Sequence, residues 1–270
     1  MNTDYRLLDT GSGRRLEQFG GIRIVRTAKQ AYWKPALPSS EWDSADAVYD
    51  GDEWRGELPE FTARFDDAVF SLGLLETGQI GIFPEQQENW EWLRKTVSDR
   101  PLRILNGFAY TGGSTIFSST PYTDVTHLDA SKPALTRARQ NLNLSGRGAN
   151  SVRFIPDDVL TFMAKEAKRG NRYDGFIFDP PAFGRGGSGK TWKLTKDLPK
   201  LAGLIKELSD GCPKFVLLTA HDPELDENSL ADAVRSISKE IRSVEKGELI
   251  MRSESGKTMN SGYFARYAKV

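Results

Sequence analysis

Three carboxylate positions stand out because each stands at the end of a short strand-like stretch. Asp129 follows residues 125–128, the pair Asp157-Asp158 follows 152–155, and Asp179 follows 175–178. Runs of this kind are consistent with buried parallel strands, which puts the acids at the carboxyl edge of one sheet. Asp179 opens the segment Asp179-Pro180-Pro181-Ala182-Phe183. Its carboxylate and the Pro180 carbonyl are both acceptors, held beside two residues of fixed φ. Such a pair can orient an amino or ring N–H so that the nitrogen lone pair faces an incoming methyl group. An aromatic just beyond can stack on a base. Asp157 or Asp158 can accept from an adenine amino group, and either can equally serve the start of a helix.

The stretch 102–130 supplies the companion to these acids. Residues 102–105 are apolar but for Arg103; Gly107, Gly112 and Gly113 mark a turn, and Asp129 lies about 20 residues beyond it. An acid there is placed to bind the two hydroxyls of a ribose. Glycines at the turn let backbone N–H groups approach a ligand and open a helix. The dinucleotide fingerprint is absent, because Phe108, Ala109, Tyr110 and Thr111 follow Gly107. Without a pyrophosphate cradle, S-adenosylmethionine is the better candidate: it has ribose and adenine but no phosphate.

The elements that must position these groups alternate strand and helix from residue 102 onward. Strands are expected at 102–105, 125–128, 152–155, 175–178 and 215–219. Helices are expected from 131 to about 144, after 158 to about 169, at about 198–208 and at about 226–238. Two last strands fall at about 241–252 and 263–268. The alternation predicts an α/β fold, a doubly wound, mostly parallel seven-stranded sheet with a terminal antiparallel hairpin. Residues 1–84 have a different texture, with strand patterns at 22–26, 61–65 and 68–72 around a Trp-, Pro- and acid-rich stretch, 32–59. They predict a small β-rich N-terminal domain with Trp33, Trp42 and Trp54 as its sparse core. The second domain, 85–270, opens on a helix over about 85–97.

The chain has 270 residues, with 37 Lys+Arg against 37 Asp+Glu, so any basic patch for nucleic acid must be local. The single cysteine, Cys212, excludes a disulfide framework and a cysteine-rich zinc site, and no metal is expected. No apolar run approaches the ~18 residues of a membrane span, and no signal-peptide pattern opens the chain. A cytoplasmic protein that meets no membrane is expected. A local basic patch follows the Asp-Pro-Pro motif: Arg185, Lys190, Lys193, Lys196 and Lys200 form a lid able to meet phosphates of a nucleic acid. The same loop, 184–191, satisfies the P-loop pattern Gly-x-x-x-x-Gly-Lys-Thr. A true P-loop leaves a strand directly and opens a helix, whereas residues 179–183 intervene here. A nucleotide triphosphatase is therefore the alternative reading.

Residues 105–114 (Leu-Asn-Gly-Phe-Ala-Tyr-Thr-Gly-Gly-Ser), Asp129-Ala130-Ser131, Asp157-Asp158 and the segment 179–183 together resemble the motif set of class I S-adenosylmethionine-dependent methyltransferases. The likeness is greatest to the branch containing large-subunit ribosomal RNA methyltransferases. Gly81 to Gln86 is similar to that branch's lead-in, and the resemblance covers roughly residues 80–270. It implies a cofactor held by Gln86, by Asn106, Phe108, Tyr110, Thr111, Gly112 and Gly113, by Asp129 and Ala130, and by Asp157 and Asp158. It implies Asp179, Pro180 and Phe183 as the catalytic group and Arg185, Lys190 and Lys193 as substrate contacts. The implied substrate is RNA, ribosomal above all, with a protein or small molecule as the alternative within one fold. One departure narrows the reaction. The cytosine-C5 members of the branch place a cysteine nucleophile just after the fifth strand. This chain reads Thr219-Ala220-His221-Asp222-Pro223 there, and Cys212 precedes the strand. Carbon-5 methylation needs a thiolate adding to the ring. Transfer to a base nitrogen is therefore expected, with His221 or Asp222 either accepting a proton or shaping the pocket.

Overall fold

The computed structural model describes residues 2–148, 152–185 and 191–269. The chain forms two compact units. One comprises Met1–Gln87, Leu144–Gly146 and Ile250–Ser261, and the other Glu88–Asn143, Arg147–Leu249 and Gly262–Val270.

In the first unit β1 (Tyr5–Gly11), β2 (Arg14–Phe19) and β3 (Ile22–Thr27) form an antiparallel meander. A five-residue helix, α1 (Ser39–Asp43), crosses to β4 (Ala47–Tyr49), which runs parallel to β3 and pairs with the short β5 (Trp54–Arg55). A parallel pair requires such a crossover, which accounts for the irregular Trp- and Pro-rich stretch. β6 (Phe61–Phe65) and β7 (Ala68–Leu72) make a separate hairpin that turns at Asp66, whose φ is 58°. Tyr5 packs on Phe19 with ring centroids 4.9 Å apart, and Phe65 meets Phe70 edge-on at 5.8 Å. Glu17 is fully buried against this core. It accepts from Arg26 Nε at 2.7 Å and from the Tyr5 hydroxyl at 3.1 Å, with Arg15 Nε 3.3 Å away. Of the three tryptophans expected in the core, Trp42 is buried with Leu8, Leu16 and Val25. Trp33 and Trp54 are half-buried and donate their indole N–H groups to the carbonyls of Thr10 (2.9 Å) and Leu75 (2.7 Å). The segment from 250 joins this unit through backbone bonds from Glu254 to Leu7 (2.8 Å) and from Ser255 to Leu8 (3.1 Å). The Ser255 hydroxyl donates to the buried Asp9 carboxylate at 2.5 Å.

The second unit carries the seven-stranded sheet. Its helices and strands are α2 (Gln87–Val97), β8 (Leu102–Gly107), α3 (Gly113–Ser118), β9 (Thr123–Leu128), α4 (Lys132–Leu144), β10 (Val152–Ile155), α5 (Val159–Lys168) and β11 (Gly175–Phe178). They continue with β12 (Phe183–Arg185), β13 (Thr191–Lys193), α6 (Leu194–Leu208), β14 (Phe215–Ala220), α7 (Glu227–Ile237), β15 (Glu245–Arg252) and β16 (Thr258–Ala268), of which residues 250–252 and 258–261 are counted with the first unit. The strand order is β10-β9-β8-β11-β14-β16-β15, parallel from β10 to β14 and antiparallel where β16 pairs with β14. This is the doubly wound sheet with a terminal hairpin that the alternation predicts.

Both faces of the central strands are covered, which is why they read as continuous apolar runs. On one face Phe176, Phe178, Val216 and Leu218 pack against Phe162 of α5, Leu201 of α6 and Val234 of α7. On the other, Trp92 of α2 meets Phe215 edge-on at 6.0 Å. Full burial of one such side chain contributes about 1.5–3 kcal/mol. α6 begins at Leu194, four residues before its expected start near 198. Pro199 lies inside it, and that proline is what makes the segment read as a helix entry. The P-loop reading fails on the backbone. Gly184 and Arg185 pair with Trp192 and Thr191 in an antiparallel hairpin, so the motif's last residue sits in a strand and not at a helix start.

The sheet's connectivity fixes where a ligand goes. The chain leaves β8 outward to β9 and β10, then returns across β8 to β11. The order reverses between β8 and β11, and crevices form at the carboxyl ends of strands at such a switch point. Gly107 pairs with Leu128 and with Phe178, and Phe178 with Leu218. Phe108, Asp129 and Asp179 therefore leave their strands at one edge, level with Thr219 near the end of β14.

Candidate active site

The turn after β8 is held from below by a buried polar chain. Asn106 Nδ2 donates to Thr115 Oγ1 at 2.8 Å, and that oxygen lies 2.8 Å from His127 Nδ1. All three residues are buried. Burial drives the His127 pKa down to about 3, with Arg139 adding to the shift and the Tyr110 backbone opposing it. The ring is neutral at any ordinary pH and works as a fixed hydrogen-bonding strut.

Two of the glycines serve packing. A Cβ at Gly107 would come within 2.5 Å of the Phe178 ring, and one at Gly113 within 2.8 Å of the Trp90 indole. Gly112, at φ 92°, is the position whose backbone itself favours glycine, and it caps α3. Phe108 and Tyr110 also adopt left-handed φ values, 56° and 48°, a strain of about 1–3 kcal/mol each. The Tyr110 N–H donates to Asp129 Oδ2 at 2.8 Å, which pins the strained turn to the end of β9. Thr111 is buried, and its carbonyl accepts from Asn141 of α4 at 2.9 Å.

Asp129 Oδ1 accepts from the Ser131 N–H at 2.8 Å, so each carboxylate oxygen holds one backbone donor. Burial raises its pKa above the ordinary 3.8, and the Ser131 and Tyr110 N–H groups oppose that shift. An ionised carboxylate has about four acceptor sites. Two are used, and two remain for a pair of hydroxyls. Ala130 is exposed beside it.

Beyond β10, Asp158 is the N-cap of α5 and accepts from the Thr161 N–H at 2.9 Å. Asp157 accepts from the Asp158 N–H at 2.9 Å and pairs with Lys165 at 2.8 Å. Asp158 also lines a cavity of about 290 Å³, together with Trp192. Trp192 is the residue the sequence reading missed. It is buried, its ring centroid lies 4.9 Å from that of Phe108, and its indole N–H donates to the Pro181 carbonyl at 2.7 Å. It thereby ties the turn after β8 to the Asp-Pro-Pro segment after β11. Its one signal in the sequence is a lone aromatic among the lysines that follow the glycine loop.

At the end of β11, Asp179 Oδ1 accepts from the Thr219 hydroxyl at 2.5 Å and lies 3.4 Å from His221 Nε2. Thr219 and His221 belong to β14 and the residue just past its end, so pairing of β11 with β14 builds the cluster. Gly262 of β16 lets that strand pass close by: a Cβ there would sit 2.5 Å from the Ala220 carbonyl and 2.8 Å from His221 Nδ1. Asp222 is buried and accepts from the Glu224 N–H at 2.9 Å, the role of a turn residue. Pro180 is buried, whereas Phe183 is 62% exposed on β12. Lys193 pairs with Glu224 at 3.3 Å on the surface. Lys190 and the Arg185 side chain lie outside the described residues. Gln86 is buried at the end of a 3-10 turn, Pro84–Gln86, in the first unit. Cys212 is exposed three residues before β14, at the amino end of that strand, with Lys269 Nζ 3.3 Å from its sulfur.

The residues at the carboxyl edge fit S-adenosylmethionine on chemical grounds. Asp129 offers spare acceptor sites for two ribose hydroxyls, and the turn 107–113 carries no lysine or arginine for a phosphate. Among the described residues no group of three or more His, Cys, Asp or Glu is arranged to hold a metal. No helix among them is long and apolar enough to cross a membrane.

Comparison with known proteins gives the same chemistry. Residues 51–250 match the family model described as S-adenosylmethionine-dependent methyltransferase. A solved SAM-dependent methyltransferase from Agrobacterium tumefaciens superposes with a TM-score of 0.91 at 33% identity, covering 98% of this chain and 90% of that one. A methyltransferase solved in complex with SAH shares the fold, with a TM-score of 0.73 at 14% identity over 98% of this chain and 75% of that one. Among curated proteins, ribosomal RNA large subunit methyltransferase I of Klebsiella pneumoniae is 32% identical over 131 residues, 47% of this chain and 32% of that protein. Its namesake from Photobacterium profundum is 27% identical over 199 residues, 70% of this chain and 48% of that protein. The chain thus spans less than half the length of these two relatives.

Proposed function

The chain belongs to the S-adenosylmethionine-dependent methyltransferase family, and from that premise we propose that it methylates a base nitrogen in RNA, ribosomal RNA foremost, in the cytoplasm. The names of the relatives support the substrate class. The observation that carries the choice of nitrogen is the acceptor pair at the end of β11, Asp179 and Pro180, backed by Thr219 and His221 where a carbon-5 enzyme needs a thiol.

Asp129 would hold the ribose and Asp158 the adenine amino group, with the turn from Asn106 to Gly113 around the amino-acid end. When bound, the cofactor supplies an electrophilic methyl group on a sulfonium. The protein's part is alignment. Asp179 and the Pro180 carbonyl accept N–H bonds from the target amino group and so turn its lone pair outward. Transfer to the nitrogen would break the methyl group's bond to sulfur, the electron pair staying on sulfur as the neutral thioether, and would cost the nitrogen one proton. The Asp179 carboxylate receives it, and His221 Nε2, 3.4 Å away, passes it toward solvent. Phe183 and the basic residues Arg185, Lys190 and Lys193 would meet the RNA.

The test is tritium transfer from labelled cofactor into fractionated RNA and protein from cells lacking this chain, followed by nucleoside chromatography. Label in an N-methylated nucleoside is expected. Label in a 5-methylpyrimidine, or in protein alone, contradicts the reading.

A further inference from the structure

We propose that the first unit carries its own binding site for a nucleotide of single-stranded RNA, in the cavity between β2, β5 and the segment around α1. This deepens the proposed function, since it rests on RNA being the substrate. The cavity has a volume of about 560 Å³, within the range of small-ligand pockets. Its floor is apolar, built from Val25, Leu37, Val48 and Trp42. Three cations stand around it on separate elements: Arg14 on β2, Lys34 in the loop after β3 and Arg55 on β5, against one lining acid, Asp43. All three are exposed. Arg55 is paired with Asp50 at 2.9 Å, but Arg14 and Lys34 have no carboxylate partner among the described residues.

A chain with equal numbers of acidic and basic residues has no bulk excess to place there, so this convergence is local. The Arg14 guanidinium lies over the Trp42 ring, 5.3 Å from its centroid. That contact holds the group at the cavity wall without neutralising it. An apolar floor for a base or sugar, with uncompensated cations around it for the phosphates on either side, is the combination that single-stranded nucleic acid uses.

The probe is a fluorescein-labelled single-stranded RNA about 12 nucleotides long, titrated by anisotropy against the full chain over a series of salt concentrations. Wild type binds. The Arg14→Ala/Lys34→Ala variant binds about tenfold more weakly or worse, and its log Kd against log salt has a slope lower by about 1.4, the value for two lost phosphate contacts on a single strand. Lys34→Glu alone also weakens binding, with an unchanged melting temperature, because that side chain is exposed. SAH affinity stays at the wild-type value in both variants. Failure of wild type to bind, variants with wild-type affinity and slope, or a polyglutamate peptide bound as well as the RNA would each overturn the site. The two readings fail separately. Absence of tritium from RNA, with this binding pattern intact, sinks base methylation and leaves the site standing.

Discussion

Asp129 permits the most quantitative test. The Tyr110 and Ser131 N–H groups, each 2.8 Å away, take one acceptor site on each oxygen. Two ribose hydroxyls would take the rest. A hydrogen bond to a charged group contributes about 1.5–3 kcal/mol. Asp129→Ala removes two of these from the complex, about 3–6 kcal/mol, or ~10²- to ~10⁴-fold in Kd at about 1.4 kcal/mol per decade. The variant also leaves the strained Tyr110 turn without its anchor, a separate loss of about 1–3 kcal/mol in the free protein. Calorimetry with SAH measures the first quantity and thermal melting without ligand the second. The pH dependence carries a further sign. Burial lifts the Asp129 pKa above the ordinary 3.8. Hydroxyl donors favour the ionised form, so affinity weakens as pH falls through the raised value, and binding there releases a proton. In the free protein the same shift acts the other way: its contribution to stability is full below the ordinary value and is lost as pH rises through the folded one. A loss of affinity under about tenfold, less than 1.4 kcal/mol, with the fold intact, would refute the ribose assignment.

Other outcomes follow from the same geometry. Asp179→Ala should cut turnover by about 10²–10⁴ while SAH binding persists, and equal loss of both would contradict its role. Thr219→Val removes the 2.5 Å hydrogen bond to that carboxylate and should slow transfer about 10- to 150-fold in a single-turnover assay. Cys212→Ser should leave methyl transfer at the wild-type rate, since the thiol lies at the other end of β14, and an inactive variant would revive a thiolate mechanism. Glu17→Ala should cost about 3–5 kcal/mol in urea denaturation by stranding Arg26 and Arg15 in the core. Burial alone would raise the Glu17 pKa, but Arg15 and Arg26 hold it below the ordinary 4.5. Its stability contribution is therefore present above that pH and lost as pH falls through the lower folded value. His127 ring resonances should not titrate between pH 5 and 8, because its pKa is pushed down to about 3. Its contribution to stability fades below the ordinary 6.5, as the unfolded ring takes a proton that the folded ring refuses.

β11 and β14 were legible because burial on two faces leaves a nearly continuous apolar run, and the acids that end β9, β10 and β11 inherit their places from the sheet's register. β1 and β2 were not legible. Asp9, Thr10 and Glu17 are buried on them, so polar residues interrupt the inward face and hide the alternation. The chemical cluster at the end of β11 was half visible. Asp179 announced itself by its prolines, while its contact with Thr219 depends on strands 40 residues apart lying side by side. Trp192 was hidden for the same reason, since nothing local says that it reaches Phe108. The glycine turn was found for an incomplete reason: Gly107 and Gly113 make room for Phe178 and Trp90, contacts that only the folded chain defines.

The return of residues 250–261 to the first unit bears on how the protein is born. Synthesis delivers about 5–20 residues per second, so on the order of ten seconds or more separates the emergence of Gln87 from that of Ser255. During that interval the nascent front end lacks the hydroxyl that caps Asp9 and the backbone groups that close β1. Its last tertiary contacts wait for the tail, and a polypeptide halted at Gln87 would never acquire them.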